Sequence, residues 1–162
     1  MTLKLNVDNN NLNLIEMQSV TSKWFECAVK LERTDENGEQ KKITETYVVE
    51  ALSFTEAEQN IIKELTSYTS GELEIKKIAP MSISEIFFSN KDSDDQWYKC
   101  KLAFITIDEK SDKEKRSSVS YLVQAASLET ALSYIVEEMR GTMIDYLASN
   151  ISETKILDVI RN

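Results

Sequence analysis

A chain of 162 residues, 41% hydrophobic and 29% charged, has the make-up of a globular protein with one sizeable core or two small ones. A net charge of −9 repels polyanions at long range, and the absence of histidine removes the commonest general acid–base, the usual zinc ligand and the base of Ser–His and Cys–His pairs. No apolar run approaches the roughly 20 residues that span a bilayer, and no basic-then-apolar leader opens the chain, so the expected setting is the cytoplasm, without a membrane partner.

Residues 1–22 read as an N-terminal extension or edge strand. Leu3, Leu5 and Val7 alternate briefly before Asn9, Asn10 and Asn11 break the pattern. From Lys23 the chain alternates with the period of a half-buried strand, placing Phe25, Cys27, Val29 and Leu31 on one side. Asp35-Glu36-Asn37-Gly38 predicts a turn, with Gly38 free to take positive φ. A second strand follows, with Glu45, Tyr47, Val49 and Ala51 sharing a face. Ser53 and Glu56 have the spacing of a capping box, and Ala57, Ile61, Ile62 and Leu65 then form a helical stripe that Gly71 is expected to close in the left-handed region. A strand-like stretch from Glu72 to Phe88, broken by Pro80, completes the unit.

The pattern then repeats. Trp24-Phe25-Glu26-Cys27 returns as Trp97-Tyr98-Lys99-Cys100, 73 residues later. Beyond the hairpin the offset is 74, matching Tyr47, Val49, Ala51, Ser53, Ala57 and Ile61 with Tyr121, Val123, Ala125, Ser127, Ala131 and Ile135. A strand, a turn, a strand and a helix held in register identify a tandem duplication. The expected fold is α+β: a duplicated β-β-α-β unit at 23–88 and 96–162, joined by a polar linker at 89–95. Two such units can form one continuous antiparallel sheet or two sheets packed together; the arrangement expected is the first, with both helices on one face and pseudo-two-fold symmetry. In the tail, Thr142 to Ile160 is expected to hold the last strand, with Asp145 to Ser149 open to a helical alternative. The two cysteines, Cys27 and Cys100, stand at equivalent inward positions and read as reduced core thiols.

All three glycines have turn or helix-end duties, leaving none for a phosphate-cradling loop. Asp145 followed by Glu153-Thr154-Lys155 loosely matches a metal-dependent nuclease signature, but an acidic chain generates so short a pattern by chance. The short basic clusters Lys41-Lys42, Lys76-Lys77 and Lys113 to Arg116 read as solvated turns. The expectation is therefore a protein that is not an enzyme, with no catalytic residue, no metal site and no cofactor.

The strand faces opposite the predicted cores are more informative. Trp24, Lys30, Trp97, Lys99 and Lys101 share them with small and hydroxylated residues. Such a surface can stack bases on tryptophan and hold phosphates with lysine, so these five are the candidate nucleic-acid-binding residues. The second repeat suits the task better, having Lys99 and Lys101 where the first has Glu26 and Ala28. The competing reading is that this face is buried, within the chain or in a homo-oligomer.

The motifs Trp-aromatic-x-Cys and Thr44-Glu45-Thr46-Tyr47-Val48-Val49-Glu50-Ala51, together with Leu122-Val123-Gln124-Ala125, Gly141-Thr142-Met143-Ile144-Asp145-Tyr146 and Glu153 to Val159, resemble an uncharacterised family of small acidic proteins from gut Bacteroidales and their phages and mobile elements. The resemblance covers residues 23 to 160. It carries no activity, so it assigns no residue a role. It implies an accessory binding protein of a phage or mobile element, contacting single-stranded nucleic acid. The alternative is a counter-defence protein that sequesters a signal nucleotide or inhibits a host protein.

Overall fold

The computed structural model describes residues 23–69 and 71–162. The N-terminal extension, with its expected edge strand, lies outside the described residues. The chain runs β1 (Lys23–Thr34), β2 (Gln40–Ala51), α1 (Phe54–Thr66), β3 (Glu74–Pro80), β4 (Glu85–Phe87), β5 (Gln96–Ile107), β6 (Glu114–Ala125), α2 (Leu128–Met139), β7 (Asp145–Glu153) and β8 (Ile156–Ile160). The fold is α+β, and the β-β-α-β unit occurs twice, each copy followed by one further short strand. The tail after α2 is strand throughout its regular part, so the helical alternative for Asp145 to Ser149 does not occur.

The hairpins form as their alternation requires. Lys23 pairs with Ala51 through to Thr34 with Gln40, and Gln96 pairs with Ala125 through to Ile107 with Glu114, both antiparallel and without a bulge. The shift in repeat offset has a structural location. In the first turn the Asp35 N–H donates to the Glu39 carbonyl at 2.8 Å, and in the second the Asp108 N–H reaches one residue further, to Lys113 at 2.9 Å. Each turn is braced by its leading aspartate, Asp35 Oδ1 accepting from the Asn37 and Glu39 N–H groups and Asp108 Oδ1 from Lys110. Gly38 takes φ 80°, and Asp112, its repeat partner, is forced to φ 53°. Both helices begin as the capping pattern requires. Ser53 Oγ accepts from the Glu56 N–H at 3.2 Å while Glu56 reaches back to the Leu52 N–H, and Ser127 Oγ accepts from Thr130. The first helix does not end on a left-handed glycine. Ser67 caps it in the right-handed region, and among the described glycines only Gly38 has positive φ.

One continuous sheet is not what these strands build. They form two four-stranded sheets, ordered β3-β1-β2-β8 and β4-β6-β5-β7. Three strands of each sheet come from one repeat, antiparallel to their neighbours, and the fourth comes from the other repeat. Parallel β8 lies on β2, pairing Val48 with Val159, and parallel β4 lies on β6, pairing Ile86 with Leu122. The compact units consequently differ from the repeats. One contains the described residues up to Met81 together with Ile156–Asn162, and the other contains Ser82–Lys155.

Each unit has its own core against one helix. In the first, Phe25, Cys27, Val29 and Leu31 of β1 and Tyr47, Val49 and Ala51 of β2 meet Ala57, Ile61 and Leu65 of α1. In the second, Tyr98, Cys100, Leu102, Tyr121, Val123, Ala125, Ala131, Ile135 and Met139 do the same, and each is the repeat partner of a residue in the first core. Ile62, assigned by sequence to the buried stripe of α1, is 39% exposed. Both cysteines are buried and unbridged, and burial pushes each thiol up to about 11, with Glu26 adding to the effect at Cys27.

Because β8 satisfies one edge of β2, deleting residues 156–162 should expose the amides of Thr46 to Val49. Hydrogen exchange by mass spectrometry should show faster exchange in β1–β2 with β5–β7 unchanged. The strained turn gives a second expectation: Asp112→Gly should raise stability by about 0.5 kcal/mol in urea unfolding, since glycine carries no Cβ penalty at positive φ.

Candidate nucleic-acid interface

The five residues singled out by sequence fall in two separate places. In the first unit, Trp24 and Lys30 both lie on β1, partly buried. Lys30 pairs across the sheet with Thr44 on β2 and Glu74 on β3, and the cleft beside it is lined by Glu32, Glu72 and Glu74. The Glu74 carboxyl is held low chiefly by the hydrogen bond from Lys76, with Lys30 and Lys42 contributing at longer range. Lys30 therefore sits in a carboxylate environment that competes with any phosphate. On the same face Glu26 binds Lys77 at 3.2 Å.

The second unit differs. Lys99 and Lys101 are exposed on β5, on the face away from α2. Their row partners are Leu122 and Ser152 for Lys99, and Ser120 and Asn150 for Lys101. These side chains border a shallow depression of about 460 Å³ lined by Lys99, Lys101, Ser149, Asn150 and Ser152. Among the described residues no carboxylate lies within 4.0 Å of either lysine; in the other basic clusters Lys41, Lys76, Lys77 and Arg116 are paired with Asp35, Glu74, Glu26 and Glu114, while Lys42, Lys113 and Lys115 share the unpaired state of Lys99 and Lys101. Asn150 and Ser152 escaped the sequence reading because their alignment depends on a register shift of β7 between Lys101 and Leu102.

Trp97 does not fit the stacking role expected of it. It is 2% exposed, and its ring meets Phe88 edge-to-face at 5.5 Å, so it offers no open face to a base. Strand alternation correctly puts it on the side of Lys99 but says nothing about what covers the end of the strand. Leu122 on the same face is also fully buried. The face is thus divided, apolar and closed at Trp97 and Leu122, cationic and exposed at Lys99 and Lys101.

The nuclease-like carboxylates are not assembled. Asp145 opens β7 opposite Ile105 and Glu153 ends it opposite Tyr98, which separates them by about 25 Å at the rise of a strand. Two groups so placed cannot share a metal ion. Among the described residues no cluster of three or more His, Cys, Asp or Glu has ligand geometry.

The segment read as a linker holds the least expected group in this unit. Asp94 is 3% exposed and accepts hydrogen bonds from Ser89 Oγ and, at 2.5 Å, from the Tyr134 hydroxyl of α2. Burial works to raise its carboxyl, but the bonds from Ser89, Tyr134 and the Ala126 main chain outweigh this and hold it below the usual carboxylate range. The phenol of Tyr134 is raised in turn, first by its bond to Asp94 and then by burial. Residues 89–95 are therefore pinned to the second unit by a buried anion.

A family model described as Domain of unknown function (DUF4494) matches residues 23–162. The chain belongs to this family. The match begins where the first repeat begins and takes in both units, so the duplication is internal to the DUF4494 domain. No curated protein and no solved structure shows a match to the chain. No helix among the described residues is long and apolar enough to cross a membrane.

Asp94 gives this unit a defined acid response. Its folded carboxyl lies below the unfolded value near 3.9, so its contribution to stability is complete above that value and fades as pH falls toward the folded one. Urea unfolding of the wild type between neutral and strongly acidic pH should show this loss, and Asp94→Asn should remove that part of the slope while lowering stability at neutral pH.

Proposed function

We propose that the protein is a non-enzymatic binding protein whose second unit holds the sugar–phosphate backbone of a single-stranded nucleic acid. The observation that carries the reading is the pair Lys99 and Lys101, exposed and without a carboxylate partner among the described residues, in a chain of net charge −9. Two residues apart on a strand, their stems leave the sheet about 7 Å apart, a spacing suited to neighbouring phosphates of an extended strand. Asn150 and Ser152 supply neutral donors beside them, which add hydrogen bonds without adding charge. Nothing in this contact reads bases, and with Trp97 closed off the binding is of the backbone kind, weak and salt-sensitive. The first unit has Glu26 and Ala28 at the same positions, with Glu26 tied to Lys77, which supports a division of labour between the repeats. A role as an accessory protein of a phage or mobile element in the cytoplasm follows from the sequence resemblance alone.

Fluorescence anisotropy with labelled oligo-dT at several salt concentrations tests this. Two phosphate contacts give a log–log salt slope of about −1.4. Lys99→Glu/Lys101→Glu should abolish binding, and Glu26→Ala in the first unit should leave it unchanged. Equal binding by the wild type and the double lysine variant would falsify the proposal.

A further inference from the structure

A second cleft, of about 370 Å³, lies wholly within the first unit, between the C-terminal turn of α1 and strand β8. Leu65, Leu157, Ile160 and the exposed ring of Tyr68 give it apolar walls, and Glu64 and Asp158 stand among them. Arg33, which also lines the cleft, is clamped by Glu45 through two bonds of 3.0 Å, from Nε and Nη2. Glu45 is 9% exposed and also accepts from the Tyr47 hydroxyl at 2.5 Å, while Arg33 Nη1 donates to the Tyr68 carbonyl at 3.2 Å. Burial would raise the Glu45 carboxyl, but the bonds from Arg33 and Tyr47 keep it below its ordinary value.

The duplication supplies a control for what this cluster is for. At the matching positions the second unit has Thr106 for Arg33 and Val119 for Glu45, and it builds the same hairpin and the same core without them. The ion pair is therefore no requirement of the fold. Partly buried pairs of this kind are commonly no more stabilising than apolar residues of similar size, so its presence in one repeat only calls for a use outside packing.

We propose that this cleft is a docking pocket for a basic peptide segment, taking up a lysine or arginine side chain of a protein partner. Charge complementarity selects the occupant. Arg33 is already neutralised by Glu45, and among the described residues neither Glu64 nor Asp158 has a basic group within 4.0 Å. The carbonyl end of α1 adds negative potential on the same side. The aliphatic stem of the incoming residue lies along Leu157, Ile160 and Tyr68, and its charged head meets Glu64 and Asp158. Arg33 keeps N–H groups beyond those bound to Glu45 and Tyr68, and these donate to a main-chain carbonyl of the peptide. The site is independent of the lysine face on the second unit.

The test uses the full chain, labelled with ¹⁵N, titrated with the capped tripeptide Ac-Gly-Lys-Gly-NH₂ and with its norleucine counterpart, which keeps the stem and lacks the charge. Amide shifts should concentrate on Glu64, Leu65, Tyr68, Leu157 and Asp158, with norleucine binding about tenfold more weakly. Glu64→Gln/Asp158→Asn should lose a similar factor. Arg33→Thr/Glu45→Val, which copies the second repeat, should stay folded by thermal melting and bind several-fold more weakly. Equal binding of the two peptides, shifts scattered away from the cleft, or unchanged affinity in the carboxamide variant would each overturn the proposal.

Discussion

The parallel pairing of short fourth strands on β2 and β6 is the constraint on which the rest of the structure hangs. Each repeat makes an antiparallel hairpin, a helix over one face and a third strand, and this leaves one edge of an inner strand with its N–H and C=O groups unmatched. The missing partner comes from the neighbouring repeat in both cases, so neither sheet is complete with its own residues alone. Closing such non-local pairs costs chain entropy that local hairpins do not. The duplicated cores, near-identical in side-chain positions, offset it twice.

Having two copies of one unit in a single chain separates what the fold needs from what was added. The needs are the alternating apolar residues of the hairpins, the two capping serines and the three inward residues of each helix, all kept in both halves. The additions are charges. Glu26 and Ala28 correspond in the repeat to Lys99 and Lys101, and Arg33 and Glu45 to Thr106 and Val119. One half has thus acquired an open cationic row and the other a closed ion pair beside a cleft, on scaffolds that tolerate either. Neither difference alters the core that the two halves share.

What the letters reveal and what they hide divides along sequence distance. Strand alternation, both hairpins and both helix starts are local, so Phe25 to Leu31, Asp35 to Gly38 and Ser53 to Glu56 can be read directly. Even the inserted residue is visible as a change of offset, and the structure spends it in the Asp108 turn. The destinations of β4 and β8 are not legible, because a strand of three or five residues carries too few side chains to name its partner. The same limit hides Asn150 and Ser152, whose neighbours follow from the β7 register. Trp97 shows a different limit, since periodicity assigns a face but not its exposure. Asp94 shows another, since an acidic residue in a polar stretch looks solvated until Tyr134 arrives from 40 residues away.

The order of strands also sets an order in time. Emerging from a ribosome, the second unit has all four of its strands once Glu153 is out, whereas β1, β2, α1 and β3 were made long before and still lack β8. The half translated first is the half finished last, and its unmatched edge on β2 stays available to chaperones or to a neighbouring nascent chain for most of synthesis.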